Sequence, residues 1–218
     1  MTIQVLIGMI TGLGAAVRGN WSPCGESLQA QLHPLGEGTR GNRWGVTIGA
    51  FTVGSVLAGG SLTAALGALG AVFLGSVGSS VALALTAGLA LAAGALDLSP
   101  LTPWTPKRQV NENWIGRYRG WVYGAAFGLQ LGLGFAVFVM SWGYYAMLAM
   151  AFLSGSASAG ALMGVSFGLG RGIILYASRV ITTPERLARF HARASALKGP
   201  VFTSTGVVTV VAASLALL

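Results

Sequence analysis

The chain has a single cysteine, Cys24, and two histidines, His33 and His191. One cysteine excludes an internal disulfide and a thiolate metal cluster. The histidines lie far apart, both in basic segments, and neither is spaced with carboxylates as metal ligands are. They read as solvated loop histidines, so neither a metal nor a cofactor is expected. Charge is also scarce. Only 8% of residues are charged and just five are acidic, against 13 lysines and arginines. No P-loop, dinucleotide fingerprint or Ser/His/Asp set is present, which argues against an enzyme of the familiar soluble kinds.

What the chain does have is apolar length. Hydrophobic residues make up 54% of it, as in a membrane protein. Six apolar stretches stand out, at 2–32, 44–73, 80–97, 120–153, 159–181 and 200–218. Crossing a bilayer core of about 30 Å takes about 20 helical residues. The expected fold is therefore all-α, a polytopic membrane protein of six transmembrane helices. The N-terminal stretch lacks a basic leader and a clear cleavage site, so it reads as a retained helix.

Positive charge falls in alternate connections. Arg40 and Arg43 occupy 33–43, and Lys107, Arg108, Arg117 and Arg119 occupy 98–119. Arg179, Arg186, Arg189, Arg193 and Lys198 occupy 179–199. The connections at 74–79 and 154–158 carry none. By the positive-inside rule the basic connections are cytoplasmic and both termini lie outside a plasma membrane. The net charge of +8 thus points to the lipid bilayer as partner rather than to nucleic acid.

Gly12-Leu13-Gly14-Ala15-Ala16-Val17 recurs as Gly132-Leu133-Gly134-Phe135-Ala136-Val137, and a tryptophan follows each copy, Trp21 and Trp142. Three spans per half would give two inverted repeats. The chain then divides into a first three-helix half (1–98), a Pro-rich basic cytoplasmic linker (99–119) and a second half (120–218). Gly160, Gly164, Gly168 and Gly172 form a ladder in the fifth stretch, and Gly124, Gly128 and Gly132 in the fourth. Small residues at this spacing let helix backbones approach closely in lipid.

Helices 1 and 4 are too long for simple crossings. The stretch 120–153 would measure about 50 Å as one helix. Both are expected to break, at Pro23 and at Gly143, and to meet at the centre of the bundle. Arg18, Glu26 and Arg171 are charges inside apolar stretches, so they should face the interior and find partners. Glu26 is the expected partner of Arg171 or of Arg18, with backbone carbonyls at a break as the alternative. With Trp142, these residues form the candidate substrate-binding set. A buried lone cysteine is usually an apolar filler. Beside an arginine at a helix break, Cys24 would instead be a reachable redox thiol and the candidate catalytic residue.

Ser22-Pro23-Cys24 and Gly168-Leu169-Gly170-Arg171 resemble motifs of the CcdA family of membrane thiol–disulfide transporters, related to the membrane domain of DsbD. The resemblance implies two inverted three-helix halves and transfer of reducing equivalents, as in cytochrome c biogenesis. The family's second Pro-Cys would fall at Trp142-Gly143, where no cysteine stands. Exchange would then need a mixed disulfide with a thioredoxin-like or other membrane protein partner, or a homodimer. Two further functions remain open: a redox-inactive transporter of a small anionic solute, and a non-catalytic structural subunit of a membrane complex.

Overall fold

A computed structural model describes residues 3–74 and 79–217, and among these there are helices, turns and irregular segments but no strand. The helices are α1 (Ile3–Gly19), α2 (Pro23–Gln31), α3 (Pro34–Thr39), α4 (Trp44–Leu74), α5 (Ser79–Leu98), α6 (Gly120–Leu133), α7 (Trp142–Leu153), α8 (Ala157–Ala177) and α9 (Pro184–Leu215). Four of them, α4, α5, α8 and α9, are long and apolar enough to cross a membrane, while α1 and α7 are apolar but shorter. Large apolar side chains such as Val53, Leu57, Val72 and Phe73 stand exposed along α4, as a lipid-facing surface requires. Of the charge-free connection expected at 74–79, residues 75–78 lie outside the described residues.

Two glycine ladders organise the packing. A Cβ on Gly124, Gly128 or Gly132 of α6 would strike the backbone of Thr47, Phe51 or Ser55 of α4. On the other side of α4, a Cβ on Gly160, Gly164 or Gly168 of α8 would strike the backbone of Thr63, Gly59 or Ser55. Helix α4 therefore runs parallel to α6 and antiparallel to α8, with backbones in contact on both sides. In lipid such approach supplies the van der Waals contact that apolar burial cannot. Helix α5 packs antiparallel on α9, Gly94 against Val210 and Gly206 against Leu98.

Both long helices break, but in different ways. After Gly19 the chain turns through Asn20, Trp21 and Ser22, whose backbone N–H groups donate to the carbonyls of Val17, Arg18 and Gly19 at 3.1 Å each. Ser22 then caps α2, its Oγ accepting from Gly25 N at 3.1 Å. Pro23 occupies the first turn of α2, where its missing N–H is not needed. The second break lies earlier than expected. Gly143 sits inside the first turn of α7, and the non-helical segment is 134–141. Gly134 ends α6 with φ +69°, a conformation open to glycine. Tyr144 holds this end, its hydroxyl donating to Leu133 O at 2.5 Å and accepting from Phe135 N at 3.1 Å.

Two further boundaries differ from expectation. The segment 184–199 is helical and continuous with the sixth apolar stretch, with Pro200 inside the helix. Thr183 caps it and Pro184 fills its first turn, so the helix begins well before the apolar run. The linker 99–119 folds back onto the second break. Thr105 Oγ1 accepts from Val139 N at 2.7 Å, and Trp104 O accepts from Tyr145 Oη at 2.7 Å.

Gly164→Val should lower the thermal unfolding midpoint of the purified protein in detergent, by the equivalent of about 1–3 kcal/mol, because α4 backbone blocks the new side chain. Gly88→Val, in α5 with open space around it, should leave the midpoint almost unchanged. Equal effects would remove the close-contact account.

Candidate functional site

Helix α8 has two working faces. Its glycines meet α4, whereas Met163, Phe167, Arg171 and Leu175, each four residues apart, share another face. Met163 and Phe167 belong to an apolar cluster with α1, α5 and α7, and Leu175 belongs to a second cluster with α2, α4 and α6. Arg171 thus stands at the junction of the two clusters, 2% exposed. Its guanidinium lies over Gly19, where any Cβ would collide with Nη1. The Nε is buried with no hydrogen-bond partner, and among the described residues Arg171 forms no ion pair. The expected pairing with Glu26 is absent, because Glu26 is exposed on α2. A small cavity of about 10 Å³ borders Arg171, Gly19, Gly134, Ser141, Tyr144 and Phe167.

Arg18 takes a different partner from the one expected. It sits in the last turn of α1, where a cation favours the helix C-terminus. Nη2 donates to the Asp97 carbonyl at 3.0 Å and lies 3.9 Å from the Asp97 carboxylate. Nη1 donates to Phe202 O at 2.8 Å, and the guanidinium stacks 4.2 Å over the Phe202 ring. Asp97 in turn holds the start of α7, accepting from Ser141 Oγ at 2.5 Å and from Trp142 N at 2.8 Å. A carboxylate at a helix N-terminus is favourable. Asp97 is thus the residue that sequence reasoning missed. Its signal was an acidic residue at the very end of an apolar stretch.

The remaining candidates separate. Cys24 is 0% exposed, so it is not the reachable thiol expected from its neighbours. It packs with Leu28, Leu32, Phe51 and Phe127, and Sγ donates weakly to Arg108 O at 3.9 Å. Trp142 donates its indole N–H to Leu101 O at 3.0 Å and lines neither cavity. Pro23 and Glu26 line a larger cleft of about 600 Å³ with Arg18, Trp21, Asp97 and Lys198. Phe138, Val139 and Met140 border both this cleft and the cavity at Arg171, so the second helix break forms the wall between them. Among the described residues, no three His, Cys, Asp or Glu side chains are grouped as a metal site.

A second polar network was also missed. Glu37 is fully buried and receives hydrogen bonds from Tyr123 Oη at 2.6 Å, Thr47 Oγ1 at 2.7 Å and Arg40 Nη1 at 2.8 Å. It ties α3 to α4 and α6. His33, expected in solvent, is 4% exposed and caps α3, its Nδ1 accepting from Gly36 N at 3.1 Å. Nε2 donates to Ala30 O at 3.1 Å, which requires the neutral ring. Burial lowers its pKa from the usual 6.5, helped by Arg40 and His191 and opposed by the Ala30 bond and Glu37.

Asp97→Ala should destabilise the protein by about 3–5 kcal/mol, because Arg18 loses its carboxylate and α7 its cap. Paired with Arg18→Leu in a double-mutant cycle, the losses should be less than additive; full additivity would separate the two residues. His33 has a depressed folded pKa, so stability is present above pH 6.5 and declines as pH falls towards the lower folded value. Melting at pH 7.5 and 5.5 should show this decline, and His33→Asn, which caps without titrating, should lose that component.

No protein-family model matches the chain, and no solved structure matches it. Curated relatives do match. The methylamine utilization protein MauF of Paracoccus versutus is 32% identical over 211 residues, covering 92% of this chain and 77% of the relative. That of Paracoccus denitrificans is 31% identical over 212 residues, covering 88% and 73%. That of Methylorubrum extorquens is 31% identical over 199 residues, covering 85% and 68%. These matches overturn the resemblance to CcdA. With it go the transfer of reducing equivalents and the link to cytochrome c biogenesis, together with the functions set beside them. Short Pro-Cys and Gly-Leu-Gly motifs carried that resemblance, whereas the relatives align over most of the chain. The chain belongs to the family of the methylamine utilization protein MauF.

Proposed function

We propose that this chain is a multi-pass plasma-membrane protein that serves methylamine utilization. The observation that carries the reading is the match to relatives of that name along 92% of the chain. The packing supports the membrane arrangement. In a six-crossing bundle with both termini outside, the second and fourth crossings run outward and the fifth inward. The parallel contact of α4 with α6 and the antiparallel contact of α4 with α8 agree with that order. The first crossing is then α1 with α2, the fourth is α6 with α7, and the halves 1–98 and 120–218 are inverted relatives joined by 99–119. The working region of this reading is the level of the two breaks, where Arg18, Asp97 and Arg171 lie.

Deleting the coding sequence from an organism that grows on methylamine should abolish that growth and leave growth on other sources intact. A plasmid-borne copy should restore it. A Cys24→Ser copy carrying Ser156→Cys should complement and be labelled by an impermeant maleimide from outside intact cells. Undiminished growth of the deletion strain would overturn the methylamine reading, and labelling only after lysis would reverse the topology.

A further inference from the structure

We infer that the cavity at Arg171 is a binding site for one small monovalent anion of about the size of chloride. This goes beyond a role in methylamine utilization and does not depend on it. Arg171 is 2% exposed, its Nε has no partner, and no carboxylate pairs with it among the described residues. A buried charge in a protein interior is normally paired, because desolvation is otherwise uncompensated. The ionisable side chains that face it are Cys24 and Tyr144. The Tyr144 hydroxyl is already committed to Leu133 O and Phe135 N, and Cys24 Sγ is directed to Arg108 O. Asp97 and Glu26 border the larger cleft beyond Phe138–Met140, not the cavity itself.

The cavity is small, about 10 Å³, which restricts an occupant to one water or one monatomic ion and excludes polyatomic anions such as phosphate. A water would supply an acceptor but leave the charge uncompensated, whereas an anion supplies both. Tyr144, Phe167 and Phe138 make the remaining walls largely apolar, which favours a weakly hydrated monovalent ion over phosphate or sulfate. The larger cleft lies on the other side of the non-helical segment that contains Phe138, Val139 and Met140.

The test is thermal melting of the purified full chain in detergent, titrated with sodium chloride against sodium gluconate at constant ionic strength. The wild type should show a saturating rise in Tm with chloride, about 5–10 °C at a hundredfold excess over half-saturation. Formate and gluconate should not act at all. Arg171→Met should melt identically in both salts and, in gluconate, at or above the wild type. Cys24→Ser should keep the chloride response, since Cys24 Sγ is directed to Arg108 O rather than to Arg171. If Arg171→Met does not fold, Arg171→Lys should raise the half-saturating chloride about tenfold or more. Bromide-soaked crystals of the wild type should give an anomalous peak beside Arg171. A wild type indifferent to chloride, a response that survives Arg171→Met, or an empty cavity in bromide overturns the site.

Discussion

Backbone-to-backbone contact along α4 sets the geometry of everything else. Seven glycine positions on α6 and α8 face its main chain or small side chains, including Thr52 opposite Gly172. Ser55 lies where both ladders converge, against Gly132 and Gly168. Three helices held at that distance leave little freedom in register. The register then fixes where α6 ends and where Arg171 falls along α8. A four-residue repeat of glycine on one face leaves the adjacent face, also at four-residue spacing, free to carry Met163, Phe167, Arg171 and Leu175. Packing and chemistry on α8 are thus two readings of one periodicity.

The ladders were legible in the sequence because close approach depends on residue size at a fixed local spacing. The first break was legible for a similar reason: Gly19, Ser22 and Pro23 are turn and capping signals that act over a few residues. The second break was misplaced because its determinants are tertiary. Gly134 is one of 34 glycines, and what makes it a helix end is Tyr144 reaching back to Leu133. The start of α9 was misread by taking basic residues to mean loop, although Thr183-Pro184 is a strong helix start.

The charged site was legible only in part. Burial of Arg18 and Arg171 follows from their apolar surroundings, but the identity of their partners does not. Asp97 acts on Ser141, 44 residues away, through the N-terminus of a helix whose position the sequence did not reveal. Glu26 was expected to pair because it is a carboxylate inside an apolar stretch, yet it projects from the exposed face of α2. Cys24 shows the same limit. Its neighbours in sequence are polar, while its neighbours in space are Leu28, Phe51 and Phe127.

Breaking helices inside an apolar bundle has an electrostatic consequence. Each break exposes helix ends with partial charges of about half an electron. The C-terminus of α1 is met by Arg18 and by the Arg171 guanidinium over Gly19, and the N-terminus of α7 by Asp97. Asp97 then faces both Arg18 and the α7 dipole, so those terms come close to balance. Arg171 has only the fractional charge at the end of α1, which Ser22 already shares by donating its hydroxyl to Gly19 O at 2.7 Å. A full charge set against a fractional one leaves a net positive charge beside the adjoining cavity. The breaks thus bring the C-terminus of α1 and the N-terminus of α7 to one buried cationic site, bordered by the non-helical residues Phe138, Val139 and Met140.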